Sequence, residues 1–569
     1  MKIIRAVLSR PYLTLLWTAV VLLLTLTPAV DMPLTPTWEL LSFDTAAHAA
    51  VFAVLAAVAW PWVRTWAARP GLVVLVSCVA LGALIEVLQY AMHQGRHAEW
   101  SDLLSDSLGV VAVLALIGLG RLGRRRLASA AALVVVAALG ATAQPVAPRT
   151  LDAPNLTRAR QTIAELASEK MHGRGYVQGG EHVAAAYLRG RLRQLGLQPL
   201  APDYTQPFTL DVNTFPGELA LAVNNVIGLH GGGKLQPGID FIASPESAAG
   251  RVLYSTVLPL DTLLFSKADT AAAWQRRPLR GRTLLLTTRD QAWLSHLPPA
   301  VKQQLDSLAQ VLLVPKLTGS LATEQAPAPR FEVLNSRWPK GRLAHWQLDA
   351  QLQRNYQTQN LAAVVRGSVQ PDSFLVVTAH YDHLGMMGKN VYFPGANDNA
   401  SGVALLLELA AHYARPENQP RCSVAFLLFG AEEAGLLGSA YFVQHPLLPL
   451  PRIKFLVNLD LLGTGEEGAT VVNGRVHEAA YQRLTALNDA HHYLPKLGAR
   501  GRAANSDHYP FSEAGVPAFF MYTRGGSAAY HDVNDRPVAL SLAGFAGAYG
   551  LVRDFLDALG ARPAKSPSR

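Results

Sequence analysis

Long apolar runs fill the start of the chain, and short alternating ones follow. Residues 11–30, 46–63, 71–92 and 103–120 carry at most one charged residue each. Each approaches the roughly 20 residues needed to span a bilayer. A fifth run, Leu127 to Ala143, is shorter. These runs predict an N-terminal all-α transmembrane bundle of four or five helices, with the domain at 1–126 and a fifth apolar segment and linker at 127–150. The hydrophilic joints carry a charge bias. One set holds Lys2, Arg5, Arg10, Arg64, Arg69, Arg121, Arg124, Arg125 and Arg126, and the alternate set only Arg96. A positive-inside bias predicts a multi-pass protein of the inner or cell membrane, with a cytoplasmic N-terminus. Everything after residue 145 is then expected in the periplasm or outside the cell.

The fifth run also has the grammar of a signal peptide. Arg124–Arg126 form a basic region, Leu127–Leu139 an apolar one, and Ala141-Thr142-Ala143 a small-residue site. Cleavage near Ala143 would release the C-terminal part of the chain. Polar residues recur in the first 120 positions: Asp44 with His48, Glu86 with Gln89, Arg96, and Asp102 with Asp106. The pairs are three or four apart and share helix faces. This arrangement over residues 10–120 resembles the VanZ-like membrane family, which is linked to glycopeptide-antibiotic tolerance.

Beyond Pro145 the periodicities become those of a globular domain. Leu156–Glu169 and Gly180–Leu195 read as amphipathic helices, the second stopped by Gly196. Residues 205–355 read as a mostly β insert that resembles a protease-associated domain. From Asn360 strands and helices alternate: strands at Leu361–Val365, Phe374–Ala379, Ser423–Phe429, Phe455–Asp460 and Ala518–Tyr522, helices at Ser401–Tyr413 and from Ala434. Such alternation predicts an α/β domain, a mainly parallel mixed sheet between helices. It comprises 151–204 and 356–560, and 561–569 is expected to be a disordered tail. Its catalytic groups belong at the carboxyl ends of strands.

Charge and cysteine content narrow the chemistry. The chain has 50 Lys and Arg against 41 Asp and Glu, with no block of like charge, so no nucleic-acid partner is expected. Its two cysteines, Cys78 and Cys422, exclude a thiolate zinc site. A metal must be held by histidine and carboxylate. Such residues fall at the predicted strand ends: His380 and Asp382, Asp398, Glu432 and Glu433, Asp460, and then His531. Zinc accepts both ligand types. Two zinc ions about 3.5–4 Å apart need a bridge, and a carboxylate has two oxygens to offer. Asp398 is expected to bridge. His380 and Asp460 complete one site, Glu433 and His531 the other. Glu432 is expected to be the general base, and Asp382 to hold a ligand histidine by its second nitrogen.

The segments H-Y-D-H-L-G, P-G-A-N-D-N-A-S-G, A-E-E-A-G-L-L-G-S and N-L-D-L-L-G resemble the two-zinc family of bacterial leucyl aminopeptidases, relatives of glutamate carboxypeptidase. Ser506-Asp507-His508 with Phe511 also resembles a segment of that family. The resemblance implies a membrane-linked, exported aminopeptidase with two zinc ions per chain. It implies that Tyr530, beside the last ligand, stabilises the oxyanion. Peptides and membrane lipid are the expected partners. Two alternatives stay open. One is acyl transfer of the glutaminyl-cyclase kind, with one zinc. The other is a non-catalytic binding relative, its membrane part an envelope or antibiotic-tolerance factor.

Overall fold

The chain divides into two units, Met1–Pro148 and Arg149–Arg569. The computed structural model describes residues 43–92 and 153–561, apart from 226–232, 263–264, 266–269, 271–273, 275 and 340. It also describes scattered positions between 11 and 21 and between 107 and 117.

In the first unit, helices α1 (Phe43–Val63) and α2 (Pro70–Met92) pack together. Phe52, Leu55 and Ala56 share a core with Val74, Cys78 and Ile85. Among the described residues no helix is long and apolar enough to cross a membrane. This overturns two expectations: the N-terminal transmembrane bundle, and the multi-pass membrane placement with an exported catalytic domain. An apolar run does not by itself distinguish a helix facing lipid from one facing protein. Here Asp44, His48 and Pro61 fall inside α1, and Glu86 and Gln89 inside α2. Arg96, Asp102, Asp106, the signal-like segment 124–143 and, except for Ala561, the tail lie outside the described residues.

The second unit opens with α3 (Leu156–Leu166), capped by the Asn155 side chain on the Arg158 amide, and α4 (Gly180–Gln194). Strand β1 (Thr205–Thr214) follows. A second sheet is then built from β2 (Leu219–Asn224), β3 (Gly250–Pro259), β4 (Arg282–Thr287), β5 (Ala309–Val314), β6 (Arg330–Leu334) and β7 (Leu343–Leu348). Two two- or three-residue strands complete its eight. Strands β3, β4, β5 and β6 run parallel. Helices Thr288–Trp293 and Pro299–Asp306 connect β4 to β5. Val301 and Leu305 of the latter bury against Leu284 and Leu286, so this module mixes helix with strand.

Strand β8 (Gln351–Val365) returns the chain to the first sheet. Its early part pairs with β1, from Gln351 opposite Thr214 to Leu361 opposite Thr205. Residues 205–214 and 351–355 therefore belong to the first sheet and not to the second. The first sheet continues with β9 (Gln370–His380), β10 (Cys422–Phe429), β11 (Ile453–Leu459), β12 (Ala469–Val472) and β13 (Ala518–Thr523), and the short strands Gln198–Pro199 and Leu497–Ala499 complete its nine. The order is β8-β10-β9-β11-β13-β12. The four central strands are parallel, β8 is antiparallel to β10, and β12 is antiparallel to β13. Every residue of β10 is buried, as expected where both faces of a parallel sheet are covered. Helices α5 (Gly402–Tyr413), α6 (Leu437–Gln444), α7 (Glu478–His491), α8 (His508–Glu513) and α9 (Phe545–Gly560) complete the unit. Of these, α5 and α9 share one buried core with α3 and α4.

Candidate metal centre

Three adjacent parallel strands, β10, β9 and β11, end along one edge of the sheet. His380 is the last residue of β9, Glu432 and Glu433 follow β10 by three and four positions, and Asp460 follows β11 directly. Asp398 comes from the turn Ala396–Ser401 that leads into α5, and His531 from the loop after β13. The Asp398–Asn399 peptide is cis.

These side chains converge. His380 Nε2 lies 3.2 Å from Asp398 Oδ1 and 3.4 Å from Asp460 Oδ1. His531 Nε2 lies 3.1 Å from Asp398 Oδ2 and 3.1 Å from Glu433 Oε2. The two oxygens of Asp398 thus face different histidines. Ligand atoms about 2.0–2.1 Å from a tetrahedral zinc stand roughly 3.3 Å apart. The four histidine–carboxylate distances match that spacing, the ligand atoms of His380, Asp398 and Asp460 all lie within 4.8 Å of one another, and hard oxygen with imidazole nitrogen is a zinc donor set. The residues therefore fit the metal.

Glu432 is partly accessible, and one of its carboxylate oxygens lies within 4.8 Å of ligand atoms of His380 and Glu433. The carboxylate of Asp382 accepts the amides of Glu432 and Glu433 at 3.2 and 3.4 Å. His380 Nδ1 lies 3.2 Å from the backbone carbonyl of Asp382 and 3.7 Å from its Oδ1. Asp382 thus holds the histidine chiefly through its main chain, while its side chain ties the Glu432-Glu433 turn. Tyr530 is 49% exposed and stacks its ring on His531, with centroids 3.9 Å apart.

Four further residues were given no role in the reading of the sequence, although Ser506 lay in a segment noted there for its resemblance to the family. His383 Nδ1 is 2.7 Å from Glu433 Oε1. That is a hydrogen-bond distance, and His383, Asp398 and Glu433 also bring ligand atoms within 4.8 Å of one another. The H-x-x-H spacing from His380 was the signal for it. Asp535 accepts the amides of Asn397 and Asp398 at 2.9–3.0 Å. Ser506 donates to Asp460 Oδ2 at 2.9 Å and accepts from Asn458 at 2.8 Å. The buried Arg174 donates to the carbonyls of Leu166, Tyr381, Pro394 and Gly395, each at 2.8 Å, and to that of Asp398 at 3.2 Å. Gly395 has a φ of +58°, and a Cβ there would stand 2.5 Å from the His383 ring and 2.6 Å from Arg174. The loop closes only with glycine at that position.

The electrostatics follow from this crowding. Burial opposes charge on His380, but Glu432 and Asp460 outweigh it and hold the ring well above its ordinary range. Burial likewise opposes charge on His531, which Glu433 and Asp398 raise to about 11. Burial pushes Asp398 up, yet its bonds to His380 and His531 pull it well below the carboxylate range. Burial and Asp398 push Glu433 up, and His531 and His383 bring it down to about 2. Glu432 goes the other way. Burial raises it, His380 lowers it, and Asp507, Glu433 and Asp460 raise it further, well above the ordinary value. Anionic ligands that keep their histidines charged are a set in which a divalent cation replaces the ring protons. Glu432, proton-hungry beside them, is suited to moving a proton.

Residues 360–555 match peptidase family M28, and residues 9–121 match VanZ/LLP1. The aminopeptidase YwaD of Bacillus subtilis is 33% identical over 170 residues, 28% of this chain and 35% of that protein. A probable zinc metalloprotease of Leptosphaeria maculans is 30% identical over 216 residues, 31% of this chain and 48% of the relative. The chain thus spans half or less of the length of these curated relatives. A solved zinc aminopeptidase from Bacillus subtilis superposes with a TM-score of 0.53 at 20% identity, over 72% of this chain and 96% of that one. That likeness is one of fold. The chain carries a peptidase family M28 domain in its C-terminal part, preceded by a VanZ-like domain at its N-terminus.

Proposed function

We propose that the C-terminal part is a zinc aminopeptidase that works with two zinc ions and uses Glu432 as general base. The observation that carries this reading is the split of Asp398, one oxygen toward His380 and the other toward His531. His380 and Asp460 would hold one ion and His531 and Glu433 the other, with Asp398 shared. The relatives' names, aminopeptidase and zinc metalloprotease, support the activity and the metal. When bound, zinc supplies Lewis-acid polarisation and activates water.

The chain's own residues do the rest. Glu432 accepts a proton from the attacking water and delivers it to the leaving amine. Asp382 fixes the turn that carries Glu432 and, through its carbonyl, the ring of His380. Tyr530, half exposed and stacked on the His531 ring, would donate a hydrogen bond to the developing oxyanion. The substrates are peptides with a free N-terminus.

Glu432→Gln tests the assignment. The change keeps size and leaves the proposed ligands in place. Zinc content and substrate KM should hold, and kcat should fall by about 10²–10⁴. Turnover near that of the unaltered chain would remove Glu432 from the base role.

A further inference from the structure

The second sheet module reaches the metal centre through one loop. After β5 the chain continues through Pro315 to Ser320 on its way to β6. Within it the carbonyl of Gly319 lies 2.9 Å from His531 Nδ1, and the Gly319 amide donates to the His531 carbonyl at 2.9 Å. The Lys316 ammonium donates to the carbonyls of Ala528 and Tyr530 at 2.9 and 3.3 Å. We propose that this loop is a positioning element of the metal centre, and that Gly319 sets the orientation and tautomer of His531. The inference rests on the reading of His531 as a ligand.

The chemistry is direct. A carbonyl only accepts, so Nδ1 of His531 must carry the proton facing Gly319. When a cation takes the place of the other ring proton, the ligating lone pair is that of Nε2, which points at Asp398 and Glu433. A histidine fixed in this way is oriented and made more basic as a ligand. His531 also has a φ of +53°, a left-handed conformation costly for a residue with a side chain. Hydrogen bonds from both sides of Gly319 pin it there.

The loop comes this close with no side chain at residue 319, and adding one would force Leu384 and Phe393 to shift. A Cβ would stand 2.7 Å from Leu384 Cδ1 and 3.0 Å from Phe393 Cε1. Leu384 and Phe393 flank the segment between His383 and Asp398. With Met387 they join the module's own core beside Phe241, Val311 and Phe331, and Val533 packs against the same cluster. The module thus seats two segments on one core: 384–393, which joins His380 to Asp398, and 528–533, which carries His531. A passive spacer would require neither contact.

Three variants of the full chain decide the matter: Gly319→Val, Lys316→Met and His531→Ala. Each is measured for zinc per chain, zinc retention against a competing chelator, thermal unfolding, and kcat and KM separately. His531→Ala should lose zinc, which tests the ligand reading alone. Gly319→Val should hold its more weakly bound zinc about 10- to 100-fold less tightly, the usual effect of losing an outer partner of a ligand histidine. Its kcat should fall more than its KM changes. Lys316→Met should shift both in the same direction by a smaller factor, and it decides if Gly319→Val does not fold. Zinc retention and kcat unchanged in folded Gly319→Val and in Lys316→Met, with zinc lost from His531→Ala, would overturn the positioning role and leave the ligand reading intact. Zinc fully retained in His531→Ala would overturn the ligand reading itself, and this inference with it.

Discussion

Arg174 lies far from every ligand in sequence, yet it ties together the backbone around them. Burial lowers its pKa to about 10, against the pull of Asp398, Asp535 and Asp382, so it stays charged at neutral pH. Each carbonyl it serves lies at the end of an element or in a turn or loop, where no ladder would satisfy it. Arg174→Met should therefore cost at least about 3 kcal/mol, since several buried acceptors lose their donor at once. Chemical denaturation reads this directly, and a loss under about 1 kcal/mol would show that Arg174 is not holding the loop. The proposed ligands were visible in the sequence because their chemistry is carried by residue type and by place at a strand end. Arg174 and Asp535 were not, because their partners are main-chain atoms that only the folded chain brings near. Gly319 was hidden for the same reason: its contribution is an amide and a carbonyl.

Among the elements, the central strands were the most legible. The nearly continuous apolar runs Phe374–Ala379 and Ser423–Phe429 are what a sheet covered on both faces requires, and they fall in β9 and β10. The limits of the insert were less so, because β1 and β8 alternate like strands of either sheet and only their mutual register assigns them. Helix α4 meets β8 where Glu181, fully buried, accepts from the Gln359 amide at 2.9 Å. Burial above all raises Glu181 from 4.5 to about 8. Proton linkage sets the sign. Between these values the native chain holds a proton that the unfolded chain has released, so stability falls as pH rises from about 4.5 to about 8. The effect is on the order of a few kcal/mol. Glu181→Gln should flatten that part of the melting-temperature profile relative to the unaltered chain. Parallel profiles for the two proteins would contradict the assignment.

At the scale of the whole molecule, the two units are built on separate cores, one formed by α1 and α2 and the other around the catalytic sheet. The transmembrane expectation came from run length and charge bias alone. Neither reports what a helix packs against, and that was the missing physical information. In the second unit the same uncertainty did not arise, because a strand's neighbours are constrained by alternation and by the ligands at its end. The central claim is that five residues from five segments form one site for two zinc ions sharing Asp398. Elemental analysis of the purified, dialysed full chain and of its Asp398→Ala variant tests it most directly. The account predicts about two zinc ions per chain in the first and loss of both in the second, because the shared carboxylate is gone. A chain that holds a single zinc, or an Asp398→Ala variant that keeps two, would contradict it.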